Sequence, residues 1–255
     1  MLNLIGLGLY DEWDLSLKAV DAMRKSKRVY LESYTSYYNG SQEALDIICG
    51  QKVTKLTRAD VEEHPEKTIL NPKDLKAGDV SLLVFGDPLV ATTHSDLYLR
   101  AKKAGIPVTV IHNSSIYSAI GETGLQLYKF GRTITIAYPE GKYFPMSPYD
   151  GLAENLKSHL HTLCLLDVKA AVGRYMSVNE GIHLLSKMED EKRLGHFTPK
   201  TMCVGVARLG GDATIRYATA EELLKIDFGG PPHALIVPGK LHFLEEDMLK
   251  TYSMR

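Results

Sequence analysis

Three stretches of this 255-residue chain carry residue types suited to holding a small ligand: Gly6-Leu7-Gly8-Leu9, Gly86-Asp87-Pro88 and His112-Asn113-Ser114-Ser115. Each follows a strand-like apolar run, Met1 to Ile5, Val80 to Phe85 and Val108 to Ile111 respectively. Open parallel sheets bind ligands beyond the carboxyl ends of their strands, so the three turns form one wall if their strands are neighbours. Gly6-x-Gly8 permits a tight turn and close backbone approach to a ligand. Asp87, between a glycine and a proline, is either a turn cap or a ligand-binding carboxylate. The run Ala91-Thr92-Thr93-His94 behind it leads into a helix, and capping explains part of its polarity. The third turn offers backbone donors and hydroxyls beside a helix start, which suits an N-cap as well as a site. His233, between Pro232 and the strand-like Ala234 to Val237, is the most conspicuous histidine, and a lone histidine before a strand is usually structural.

Other chemistries lack their usual signals. Glu32 stands after the second strand, where a dinucleotide fold places its ribose acid. The third glycine of that fingerprint is missing, since position 11 is Asp. An anion there opposes a pyrophosphate at a helix N-terminus, which disfavours a nicotinamide site. No His-x-x-x-His or Cys-x-x-Cys pair suggests a metal. Walker and Gly-x-Ser-x-Gly motifs are also missing. With 30 Lys and Arg against 31 Asp and Glu, the chain has no cationic excess for nucleic acid. The cluster Arg24, Lys25, Lys27 and Arg28 suits a helix C-terminus. Cys49, Cys164 and Cys203 read as buried small hydrophobes, which fits a reducing cytoplasm. No apolar run is long enough for a membrane span, and the N-terminus lacks the basic start of a signal peptide.

The elements that must position these turns follow from periodicity. Trp13, Leu15, Leu17, Val20 and Met23 recur at helical spacing behind the glycine turn. Strands are predicted at Arg28 to Leu31 and Val53 to Leu56, and helices at Ala44 to Ile48, Arg58 to Glu66 and Thr93 to Ala104. Alternation of strand and helix favours a parallel sheet. Beyond residue 115 a helix is predicted over Ile116 to Gly121. Strands follow at Thr133 to Ala137, Thr162 to Asp167, Thr201 to Ala207 and Ala234 to Val237. Helices are predicted at Leu152 to His159, Val178 to Met188 and Ala220 to Ile226, with prolines 139, 145 and 148 making an irregular loop. The reading is α/β with two lobes, 1–115 and 116–255, the second sheet mixed in direction.

With these turns stand Glu32-Ser33-Tyr34-Thr35-Ser36, Arg174-Tyr175-Met176-Ser177-Val178-Asn179, Val206-Ala207-Arg208-Leu209-Gly210 and Pro232-His233-Ala234-Leu235-Ile236-Val237. Together they resemble the diphthine synthase family, from end to end of the chain. The resemblance implies a tetrapyrrole-methylase-like fold whose two α/β lobes hold S-adenosylmethionine in the cleft between them. Carried over residue by residue, the cofactor contacts fall on Leu9, Asp87, Val90, Ser115, Ile116, Leu166, Leu209 and His233. The implied reaction is repeated methylation of the amine of a 3-amino-3-carboxypropyl-histidine on elongation factor two, a step of diphthamide biosynthesis, to the trimethylammonium stage in an archaeal-type enzyme or with a further methyl ester in a eukaryotic-type one; the compact length leans to the archaeal type. A homodimer is implied as well. Asp87, His233 or solvent is left to take the amine proton. Tyr34, Tyr37 and Tyr38 are walls for the growing trimethylammonium or ordinary loop packing. The alternatives are a methyltransferase of the same class acting on a tetrapyrrole or ribosomal RNA, a nicotinamide-dependent oxidoreductase, and a non-catalytic binding protein.

Overall fold

The computed structural model describes residues 1–141 and 143–253. The chain divides into two compact units, Met1–Ala119 and Ile120–Arg255. In the first, strands β1 (Leu2–Gly6), β2 (Arg28–Glu32), β3 (Val53–Leu56), β4 (Val80–Val84) and β5 (Val108–Ile111) alternate with helices α1 (Leu17–Lys25), α2 (Gln42–Cys49), α3 (Pro72–Ala77), α4 (His94–Lys103) and α5 (Ile116–Ala119). The sheet order is β3-β2-β4-β1-β5, and every pairing is parallel. Its central strands read as nearly continuous apolar runs, interrupted by the buried Asn3 and Ser81, because helices cover both faces. Leu2, Leu4, Leu82 and Val84 pack with Leu97 and Ala101 on one side. Ile5, Leu83, Val29 and Leu31 pack with Met23 and Leu45 on the other. Truncating one such leucine to alanine costs about 2–5 kcal/mol. The register that pairs Gly6 with Val84 brings the carboxyl ends of β4 and β1 level, with β5 alongside.

Two helical expectations here need correction. The helix behind the glycine turn starts at Leu17, not near Trp13, because Ser16 caps it by accepting from the Ala19 amide. Trp13 lies instead in a 3-10 turn, Glu12–Asp14, capped by Asp11, and is 89% exposed. The acidic segment Arg58 to Glu66 is not one α-helix. It forms a single π-helical turn, Ala59–Glu63, and a 3-10 turn, Pro65–Lys67, since Pro65 has no amide hydrogen to continue a helix.

The second unit holds β6 (Ile134–Ile136), α6 (Ser147–Lys157), β7 (Thr162–Leu166), a small ribbon of β8 (Val168–Lys169) and β9 (Arg174–Tyr175), and α7 (Val178–Lys192). There follow β10 (Met202–Ala207), β11 (Thr214–Thr219), α8 (Ala220–Leu223), β12 (His233–Val237) and α9 (Phe243–Thr251). The sheet order is β11-β10-β12-β7-β6; only β6 and β7 are parallel, so the sheet is mixed as expected. Helix α6 begins at Ser147 and takes in Pro148, which is tolerated in a first turn where its missing amide hydrogen is not needed. Helix α9 is anchored through Glu245, whose fully buried carboxylate accepts from the amides of Gln126 and His242 and from Lys129 Nζ. His161, also fully buried, donates from Nε2 to Glu245 at 2.9 Å and accepts at Nδ1 from the Gly239 amide. These donors hold the Glu245 carboxyl down at about 2 despite its burial. Among the described residues no helix is long and apolar enough to cross a membrane.

Candidate functional site

The three strand-end turns of the first unit are joined by direct hydrogen bonds. Gly86 donates its amide to the Gly8 carbonyl at 2.8 Å, and Gly8 returns a bond to Gly86 at 3.2 Å. Asn113 spans the gap, its Nδ2 donating to the carbonyls of Gly6 at 3.1 Å and Asp14 at 2.9 Å. The Asp14 carboxylate in turn accepts from the amides of Leu9 and Tyr10. Gly6 has no room for a side chain: a Cβ there would stand 2.5 Å from the Gly86 carbonyl oxygen. Gly86 has φ +67°, a left-handed conformation that costs glycine nothing.

Asp87 is buried at the centre of this knot. One oxygen accepts from the Leu89 amide at 3.0 Å; the other meets His112 Nδ1 at 2.7 Å and the Asn113 amide at 3.3 Å. The carboxylate thus caps its own turn and ties it to the end of β5. Around it, Leu9, Val90 and Ile116 are half-buried and Ser115 is buried. Aliphatic walls of this kind suit the flat face of an adenine, and turn backbone suits its edges. The donor set therefore fits an adenosyl ligand.

The other three expected contacts converge on one edge of the second sheet. Antiparallel register sets Ala207 opposite His233 and Ala234 opposite Leu165, so the ends of β7 and β10 flank the start of β12. Leu166 and Leu209 are buried, Leu166 within the core, so their backbone is what they offer a ligand. His233 has both ring nitrogens engaged: Nδ1 accepts from the Val178 amide at 3.3 Å, and Nε2 donates to the carbonyls of Gly230 at 2.9 Å and Gly229 at 3.1 Å. Burial pushes its pKa down. Its ring fixes a loop and holds no free lone pair for a proton. Arg208 braces the same loop, donating to the carbonyls of Phe228 and Gly230 at 2.6 Å each.

Glu32 is also spent locally. Fully buried, it accepts from the amides of Tyr34 at 2.6 Å and Thr35 at 2.8 Å and from the Thr35 hydroxyl. A carboxylate so occupied is not displayed for a ribose, which removes the support for a nicotinamide site. Tyr34 has the Arg58 guanidinium 4.9 Å over its ring, and Tyr38 stacks on Phe85 at 5.4 Å. Both read as loop packing. The 174–179 string has structural work too: Ser177 caps α7 in a reciprocal pair with Glu180, and Asn179 Nδ2 donates to carbonyls at the end of α8. No group of three or more potential metal ligands occurs among the described residues. Sequence reasoning missed the bridging roles of Asn113, Asp14 and Arg208. Only the polar type of Asn113 in a strand-end turn hinted at one of them.

Comparison with known proteins agrees with this architecture. The profile of the Tetrapyrrole (Corrin/Porphyrin) Methylases matches residues 1–223. The diphthine synthase of Methanocaldococcus jannaschii is 47% identical over 254 residues, covering 98% of each chain. That of Methanococcus aeolicus is 46% identical over 252 residues, 98% of this chain and 97% of the relative. A crystal structure of a diphthine synthase superposes with TM-score 0.88 at 34% identity, over 99% of this chain and 95% of that one. Knotted strand-end turns, an all-parallel first sheet, a mixed second sheet and this end-to-end identity agree: the chain belongs to the diphthine synthase family of the tetrapyrrole methylases and is an S-adenosylmethionine-dependent methyltransferase of diphthamide biosynthesis.

Proposed function

We propose that this methyltransferase acts on translation elongation factor two, methylating the amine of a 3-amino-3-carboxypropyl-histidine to the trimethylammonium stage. The observation that carries the reading is the hydrogen-bonded convergence of the turns after β1, β4 and β5, which makes a rigid, aliphatic-lined edge in a chain of this family. The cofactor contacts in this reading are Leu9, Asp87, Val90, Ser115 and Ile116 from the unit Met1–Ala119, with Leu166, Leu209 and His233 from the unit Ile120–Arg255. The enzyme works in the cytoplasm as a homodimer.

When bound, S-adenosylmethionine supplies a methyl group already activated by its sulfonium. The chain's own contribution is alignment and exclusion of water rather than bond polarisation. Asp87 keeps the Gly86–Pro88 turn in shape through the Leu89 amide, so that the backbone beyond it and the aliphatic side chain of Val90 meet the nucleoside. His233 and Arg208 hold the loop before β12 still, which fixes the backbone presented beside Leu209. Titration calorimetry tests the cofactor half: S-adenosylmethionine and its demethylated product should bind and NAD should not. Transfer of labelled methyl to the aminocarboxypropyl form of the factor, with none to the unmodified form, tests the substrate half. Transfer instead to a tetrapyrrole or RNA would overturn it.

A further inference from the structure

Beyond β7 the chain leaves the second sheet for the two-stranded ribbon of β8 and β9 before it enters α7. Both ends of the ribbon are tied to residues beside the contacts proposed for the cofactor. Asp167, which follows Leu166, accepts at its carbonyl from the Met176 amide at 3.0 Å, and the Val178 amide donates to His233 Nδ1 at 3.3 Å. Lys169 is three residues from Leu166, so their Cα atoms lie at most about 11 Å apart. Arg174 stands opposite Lys169 in the antiparallel register. The ribbon therefore borders the edge of the second sheet where β7 ends and β12 starts.

Like charges directly opposite each other on two strands are destabilising. Here the two cations also converge on one ring. Arg174 Cζ lies 3.6 Å from the centroid of the buried Tyr138 ring, and Lys169 Nζ lies 5.9 Å from it. A local rule broken in this way is expected where function uses the residues. Their acidic neighbours do not account for the pair. Glu140, 2.9 Å from Lys169 Nζ, is 73% exposed, and an exposed ion pair contributes little. Glu180 meets Arg174 Nη2 only at 3.4 Å, and it already accepts from the Ser177 amide at 2.9 Å as part of the α7 cap and from the Tyr138 hydroxyl. Stacking on a ring occupies the flat face of a guanidinium and leaves the N–H donors of its edge for a planar anion. The Arg174 side chain is 55% exposed, so a ligand reaches it from solvent.

We propose that Arg174 and Lys169 bind the carboxylate of the substrate's aminocarboxypropyl arm and so position the amine, which is borne on the same carbon, for methyl transfer. The proposal rests on the amine-methylation reading above. A guanidinium matches a carboxylate in a two-bond fork, and the ammonium of Lys169 adds a point charge beside it. An arm delivered by a large protein needs a contact open to solvent, which these exposed groups on a projecting ribbon provide. The methionine end of the cofactor carries a carboxylate of the same chemistry, and the affinity for the cofactor tells the two sources apart.

The test titrates the aminocarboxypropyl factor and the unmodified factor into full-length enzyme carrying the demethylated product of S-adenosylmethionine, so that no turnover occurs. Wild type should prefer the aminocarboxypropyl form. Arg174→Gln and Lys169→Gln should each lose about tenfold or more of that preference, the scale of one charge-assisted hydrogen bond. Arg174→Lys, which keeps the charge but not the fork, should fall between. Lys200→Gln makes the same change of charge at an exposed residue of the same unit and should match wild type. The affinity for S-adenosylmethionine should stay within about twofold in every variant, as for a site separate from the substitution. If Arg174→Gln and Lys169→Gln keep the preference that wild type shows, the assignment is overturned and the substrate reading stands. A matching loss of affinity for S-adenosylmethionine would overturn it in favour of the cofactor's carboxylate. A wild-type enzyme without the preference would overturn the substrate reading, and the assignment with it.

Discussion

Replacing Asp87 by alanine should weaken the fold and the proposed cofactor site together, because in the proposed reading one carboxylate serves both. The bond from the Leu89 amide to a buried ionised acceptor is worth about 1.5–3 kcal/mol. The Asn113 bond is long at 3.3 Å, and the His112 ring is 69% exposed, so these two together add about 1 kcal/mol at most. The sum is roughly 2–4 kcal/mol, or a melting temperature lower by roughly 5–15 °C in a chain of this size. His112→Ala, which removes only the exposed partner, should cost no more than about 1 kcal/mol. Thermal and urea unfolding give the stabilities, and titration of S-adenosylmethionine gives the affinity, which should fall tenfold or more for Asp87→Ala, about 1.4 kcal/mol. A variant as stable as wild type would refute the role assigned to the carboxylate in the knot. A destabilised variant with unchanged affinity would make Asp87 a turn cap alone.

Asn113→Ala leaves the Gly6 and Asp14 carbonyls without their shared donor and should cost about 1–3 kcal/mol, measured by urea unfolding, with weaker cofactor binding as the turns loosen. Acid should reveal the anchor of α9. Glu245 has a folded pKa depressed to about 2 from an ordinary 4.5, so its contribution is complete above pH 4.5 and is lost as pH falls towards 2. Buried His161, whose pKa is also depressed, adds stability that is complete above 6.5 and fades below it. Glu245→Gln should therefore lower the melting temperature at neutral pH and flatten its fall between pH 4.5 and 2; an unchanged acid slope would count against this anchor.

The elements that carry the site were legible where burial wrote them plainly. β1, β4 and β5 are short apolar runs because helices cover the parallel sheet, and each ends at a turn whose glycine or polar residue announces it. The helix α1 was misplaced because Trp13 and Leu17 mimic an apolar face yet stand exposed, whereas a single hydroxyl on Ser16 decides the start. Strand β11 and helix α9 went unread: the strand alternates polar and buried residues at a sheet edge, and the helix exposes Phe243, Leu244 and Met248. In the site, positions were readable and partners were not. Asn113 reaches Asp14 across 99 residues of sequence, a contact that only the sheet order creates. The same holds for His233, whose type suggested chemistry and whose neighbours, Val178, Gly229 and Gly230, give it a structural duty.

Whether this methyltransferase modifies elongation factor two is tested most directly by intact-mass spectrometry. The factor bearing aminocarboxypropyl-histidine and the unmodified factor are each incubated with the enzyme and S-adenosylmethionine. Methyl increments are expected on the first, stopping at the trimethylammonium, and none on the second. An unmodified mass for both, from enzyme that binds the cofactor, would contradict it.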